Sequence, residues 1–215
     1  MKKNLKSFLL IKKNKNNKLH YTLILSVVTI IVVMLSTFFI RYLTDYIGID
    51  LSRNNRNQQK DTLQRILILI FFSPILEEFG FRGWLNLKEK FISFSIIALM
   101  WLFIIKEIII SPYYIIITLV TSIIIHIITM KFIVFYLKSF LNRYYLYCGY
   151  VSVFLFAYLH YNFNNFSEYL LSPIIVLPHI CIGLLLSYYR NNYGLLSAVI
   201  LHVILNLPTL ILIIR

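Results

Sequence analysis

Glu77, Glu78 and Arg82 sit inside SPILEEFGFRGWL (73–85), directly after the apolar run RILILIFF. A charge at the centre of a bilayer costs roughly 2.5–3.5 kcal/mol on insertion scales, so three such groups need compensation from elsewhere in the chain. Asp and Glu together number only 8, which makes two adjacent glutamates in this setting a chemical feature rather than background. On a helix, residues four apart share a face, while immediate neighbours diverge by about 100°. Glu78 and Arg82 are therefore spaced for an i,i+4 ion pair. Glu77 is expected to point elsewhere, without a partner in its own helix. That asymmetry suggests one carboxylate held by arginine and another available for acid–base work.

Two further apolar segments carry polar groups at the same spacing. FLFAYLHYNF places Phe156 and His160 on one face, and SAVILHVILNL places His202 and Asn206 on one face. Histidine and asparagine facing lipid would be costly, so both helices should turn these faces inward. If they converge on Glu77 and Glu78, a buried polar cavity lined by carboxylates, imidazoles and an amide results. His126 and His179 read as interhelical hydrogen-bonding groups.

The elements that must position these residues are membrane helices. The chain is 60% hydrophobic and 13% charged, whereas a soluble domain carries about a quarter charged residues. Seven apolar segments recur, at roughly 21–43, 64–87, 91–110, 112–137, 144–163, 169–189 and 193–214. The expected fold is all-α, a polytopic membrane helix bundle of about seven transmembrane helices. Residues 1–20 form a basic cytoplasmic tail, 21–63 the first membrane helix and a polar loop, and 64–214 the domain that carries the polar groups. The segment 21–40 is too long for a signal-peptide core and lacks a small-residue cleavage site, so it should remain as a membrane helix.

The net charge of +13 does not imply nucleic acid, because seven lysines fall within the first 18 residues with no acid among them. That clustering matches a cytoplasmic flank under the positive-inside rule and places the amino terminus in the cytoplasm of a cell membrane. Lys88, Lys90, Lys138, Arg143 and Arg190 then fall on the same side. In this arrangement His160 would lie near the outer end of its helix and the glutamates nearer the middle. Either the fifth helix is short or tilted, or one of the segments 91–110 and 112–137 does not fully span. Cys148 and Cys181 form no metal or redox motif and read as packing residues.

The ordered set EEFGFR (Glu77 to Arg82), FAYLH (Phe156 to His160) and HVILN (His202 to Asn206) resembles the EExxxR, FxxxH and HxxxN motifs of the CPBP family of intramembrane proteases. That family includes CAAX prenyl endopeptidases of the Rce1 type and relatives associated with bacteriocin immunity. The resemblance covers about residues 64 to 214. It implies a glutamate-based endopeptidase that uses water as nucleophile and acts on a membrane-associated or lipidated, CAAX-type protein.

Carried onto this chain, the resemblance makes Glu77 the general base, assisted by His160, with Glu78 oriented through Arg82. His202 and Asn206 would donate to the oxyanion, and Phe156 would pack against His160 and fix its rotamer. No cofactor is implied. Zinc held by the two glutamates and two histidines is the metal alternative, although HExxH is absent and Arg82 would compete with a cation for Glu78. A non-catalytic immunity or partner-binding protein on the same fold is the other alternative. A proton-coupled transporter ranks below both, because only 6 glycines and no internal repeat are present.

Overall fold

The computed structural model describes residues 18–47, 66–108, 112–161 and 166–214. The lysine-rich residues 1–17 and most of the polar loop, residues 48–65, lie outside them. The described residues are helical apart from short connections: α1 (Lys18–Ile47), α2 (Ser73–Arg82), α3 (Glu89–Ile108), α4 (Pro112–Ile128), α5 (Val134–Arg143), α6 (Tyr145–Tyr158), α7 (Phe166–Ile175), α8 (Leu177–Tyr193) and α9 (Leu195–Ile214). Thr22–Ile40 is apolar and long enough to cross a membrane, as is Ile116–Arg143, which joins α4 to α5. Tyr169–Ile175 and Leu177–Tyr193 form a third such stretch only when taken together, bent by 45°. At 14 residues, α6 reaches only about 21 Å at about 1.5 Å per residue, short of a hydrocarbon core of about 30 Å.

The chain divides into two compact units: residues 1–60 with 153–192, and residues 61–152 with 193–215. In the first unit, α1 exposes Leu23, Val27, Met34 and Phe38, as a lipid-facing helix would. It meets α8 through hydroxyls: Ser26 Oγ lies 2.9 Å from Tyr189 Oη, and Thr22 Oγ1 lies 3.4 Å from Tyr188 Oη. The break between α7 and α8 has a covalent cause. Pro173 and Pro178 flank Val176 and lack the N–H groups that would bond the carbonyls of Tyr169 and Ile174.

The second unit is built around α2 and α3. Pro74 cannot donate to the Ile70 carbonyl, and the chain enters α2 through a π turn, Ile68–Phe72, in which the Ser73 N–H bonds the Ile68 carbonyl. A 3₁₀ turn, Gly83–Asn86, ends the segment, and Leu87 takes a left-handed conformation with φ of 56° before α3 begins. The carbonyls orphaned at this end are satisfied by side chains. Ser152 Oγ and Trp84 Nε1 donate to the Phe81 carbonyl at 2.5 and 2.9 Å, and Tyr145 Oη donates to the Leu85 carbonyl at 2.7 Å. Trp84, Leu85, Ile92, Val134 and Leu141 form the apolar core beneath this turn, with Cys148 packed against it. Polar contacts hold α3 to α4: His126 Nδ1 lies 2.8 Å from Ser93 Oγ, and Trp101 Nε1 donates to Ser122 Oγ at 2.8 Å.

Two glycines let α2 and α3 approach. A β-carbon at Gly80 would lie 3.0 Å from Leu99 Cδ2 and 3.3 Å from the Leu99 nitrogen, and one at Gly83 would lie 2.6 Å from Ser95 Oγ. Overpacking of this kind costs about 1–3 kcal/mol. Gly80→Ala is therefore expected to lower unfolding stability in mild detergent by about that amount. Combining it with Leu99→Ala should cost less than the sum of the two single changes. Strict additivity would show that the Gly80–Leu99 approach does not limit the packing.

Candidate active site

The residues of SPILEEFGFR do different work because the helix turns them to different surroundings. Glu78 and Arg82, one turn apart, are both buried, at 0% and 1% exposure. Arg82 Nη1 donates to Glu78 Oε1 at 2.6 Å. The same oxygen lies 2.9 Å from His202 Nδ1, on α9. An ionised carboxylate oxygen only accepts, so with Arg82 beside it the proton in that contact belongs to His202 Nδ1. Glu78 Oε2 is buried and makes no hydrogen bond among the described residues.

Glu77 faces another direction. Contrary to the expectation from the sequence, it does have a partner within its own helix: the Ser73 hydroxyl, one turn earlier, donates to Glu77 Oε1. Its second oxygen, Oε2, lies 3.5 Å from His202 Nε2. His202 thus stands between the two glutamates, with Nδ1 committed to Glu78 and Nε2 nearest Glu77. With Nδ1 carrying hydrogen, Nε2 of a neutral ring is an acceptor, so a proton can reside on Glu77 or on His202 Nε2.

The sequence places His202 on α9 after Gly194, whose φ of 98° separates α8 from α9. Only glycine adopts that conformation without strain. Asn206 follows one turn later on α9 and is half-buried. Glu77, Glu78, Arg82, His202 and Asn206 all belong to the second unit, and contacts within it join the first four.

Phe156 and His160 belong to the first unit. Phe156 is buried, at 1% exposure, and its ring centroid lies 4.6 Å from that of His160. His160 Nδ1 lies 2.7 Å from the Phe156 carbonyl. A carbonyl only accepts, so Nδ1 carries hydrogen and Nε2 holds the lone pair of the neutral ring. The FxxxH spacing therefore acts through the backbone carbonyl as well as through the ring.

Two contributors escaped the motif reading. Ser73 obeys the same four-residue rule that pairs Glu78 with Arg82, and that rule could have found it. His179 lies 19 residues from His160 in sequence, yet its ring centroid is 4.5 Å away. No spacing rule links the two. Among the described residues, no group of three or more His, Cys, Asp or Glu side chains is placed to hold a metal ion.

Apolar helices long enough to span a bilayer, with a desolvated acid–arginine–imidazole cluster on α2 and α9, define a membrane protein that keeps ionisable groups within its helical body. Residues 59–208 match the Rce1-like family model, described as type II CAAX prenyl endopeptidase Rce1-like, and this chain belongs to that protease family. No curated protein and no solved structure matches the chain.

Removing Arg82 would leave the Glu78 carboxylate buried with one cationic partner fewer. Breaking a buried pair from one side costs about 3–5 kcal/mol. Arg82→Ala is expected to lose stability on that scale in detergent unfolding, and Glu78→Gln in the same chain should restore part of it. An Arg82→Ala protein as stable as wild type would show that the pair does not hold α2.

Proposed function

We propose that the protein is an intramembrane endopeptidase that hydrolyses a peptide bond of a membrane-associated or lipidated, CAAX-type protein with glutamate-activated water. The observation that supports this most is the unequal treatment of the two glutamates. Arg82 and His202 converge on one oxygen of Glu78. Glu77, held at one oxygen by Ser73, faces an imidazole nitrogen with the other. That arrangement would suit Glu77 to act as a positioned general base.

In the proposed reaction, Glu77 takes one proton from a water molecule as the water oxygen bonds to the scissile carbonyl carbon. The carbonyl electrons move onto oxygen, where His202 and Asn206 would donate hydrogen bonds. For His202 this donation must come from Nε2, because Nδ1 serves Glu78, so the ring must carry the extra proton at that stage. Collapse of the intermediate re-forms the carbonyl and breaks the C–N bond, and the proton that Glu77 took from water passes to the leaving amine, which regenerates the base. By family resemblance, His160 assists the base and Phe156 supports His160.

The same reading assigns residues 64–214 to the protease domain and about seven helices to the membrane. It places the amino terminus on the cytoplasmic side of a cell membrane.

The test is cleavage of a fluorogenic farnesylated CAAX peptide by reconstituted protein in the presence of chelator. Wild type should cleave. Glu77→Gln should lose at least about 100-fold in kcat, the scale of general-base catalysis, and His202→Ala should also lose activity, with both variants remaining folded in the membrane. A requirement for added zinc would overturn the metal-free base mechanism. If wild type leaves the peptide intact, the CAAX substrate class fails and the partner-binding alternative gains ground.

A further inference from the structure

His160 lies where α6 comes undone. Its N–H bonds the Ala157 carbonyl at 3.2 Å and the Tyr161 N–H bonds the Tyr158 carbonyl at 3.2 Å, three-residue spacings that replace the regular helical pattern. A side chain on such an end lacks the support of a following helical turn. One supporting contact is the hydrogen bond from Nδ1 to the Phe156 carbonyl, and another is the Phe156 ring, tilted 58° to the imidazole. The third ring comes from another element. His179, in the first turn of α8, sets its ring at 4.5 Å and 33° to that of His160, closer to parallel than Phe156. Tyr161 in turn presents its ring edge-to-face to His179 at 5.1 Å and 87°.

The fold brings His179 to this position through the broken helix. The bend at Val176 starts α8 afresh, so that Pro178 and His179 fall in its opening turn rather than midway along a continuous span. All four rings belong to one compact unit.

We propose that His179 is a positioning residue for His160. Its ring face, braced by Tyr161, keeps the His160 imidazole in the rotamer whose Nδ1 donates to the Phe156 carbonyl, and so keeps Nε2 as the acceptor. The proposal rests on the reading of His160 as a participant in water activation. It adds a residue outside the three motifs.

The role is one of shape, so phenylalanine should replace His179 and an aliphatic side chain should not. The experiment is nitrogen NMR of full-length protein labelled with ¹⁵N-histidine in bicelles, with the His160 signals assigned through His160→Ala. Kinetics on the farnesylated CAAX peptide accompany it. Wild type should show the Nδ1–H tautomer at His160. His179→Leu should shrink that population relative to the Nε2–H form by roughly 2- to 10-fold, the scale of a lost ring–ring contact, and lower kcat similarly with little change in KM. His179→Phe should retain both.

An unchanged His160 tautomer in His179→Leu would overturn the proposal, and so would an equal loss in His179→Phe. Should His179→Leu fail to fold, His179→Ala takes its place as the variant that removes the ring, with the same loss expected and an unchanged His160 tautomer overturning the proposal. Cleavage by His160→Ala at the wild-type rate would instead defeat the assigned role of His160, leaving the NMR result to judge the ring contact by itself.

Discussion

Burying Glu78 and Arg82 together constrains much of the second unit. Desolvating both ions is costly, and their attraction offsets that cost only if the geometry is close and further hydrogen bonds satisfy the remaining atoms. The 2.6 Å contact requires an intact helical turn between positions 78 and 82. That turn ends in carbonyls held by Ser152, Trp84 and Tyr145, so α2 is anchored at the point where the arginine emerges. Gly80 and Gly83 leave space for α3 to cover it. The second donor on Glu78, His202, connects α2 to α9 through the same oxygen.

Once Glu78 is committed in this way, the chemistry of Glu77 follows from helix geometry. Adjacent residues diverge, so Glu77 cannot share Arg82 on equal terms and meets Ser73 and the far nitrogen of His202 instead. A single imidazole then communicates with both carboxylates through its two nitrogens. Belonging to the Rce1-like protease family gives this arrangement a chemical context, and a carboxylate able to accept a proton is what the proposed activation of water calls for.

Irregular backbone accompanies the polar side chains. A π turn precedes Glu77, a 3₁₀ turn follows Arg82, α6 stops short at Tyr158, and the chain bends at Val176. In hydrocarbon, backbone groups freed by such breaks must be satisfied internally, so breaks are confined to places buried in protein or lining a polar interior. Pro74, Pro173 and Pro178 account for two of these departures, and side-chain donors from Trp84 within the turn and from Ser152 and Tyr145 complete the 3₁₀ turn.

The sequence by itself determined the helical class, the apolar stretches, and the spacing that makes Glu78 and Arg82 neighbours, because hydropathy and a period of about 3.6 residues are local properties. Ser73 was equally local and went unread only because serine in an apolar helix carries little signal beside glutamate. Two of the helix breaks fall at prolines, although whether each would bend or merely widen the helix was not legible, and Pro208 sits inside α9 without a break. Tertiary structure alone decided that His202 uses Nδ1 on Glu78 and turns Nε2 toward Glu77, because that depends on the rotation of α9 against α2. It also decided that the His179 ring sits against that of His160: a ring contact across 19 residues arises from the packing of α8 against the end of α6, and packing is a property of the assembled chain, not of any segment within it.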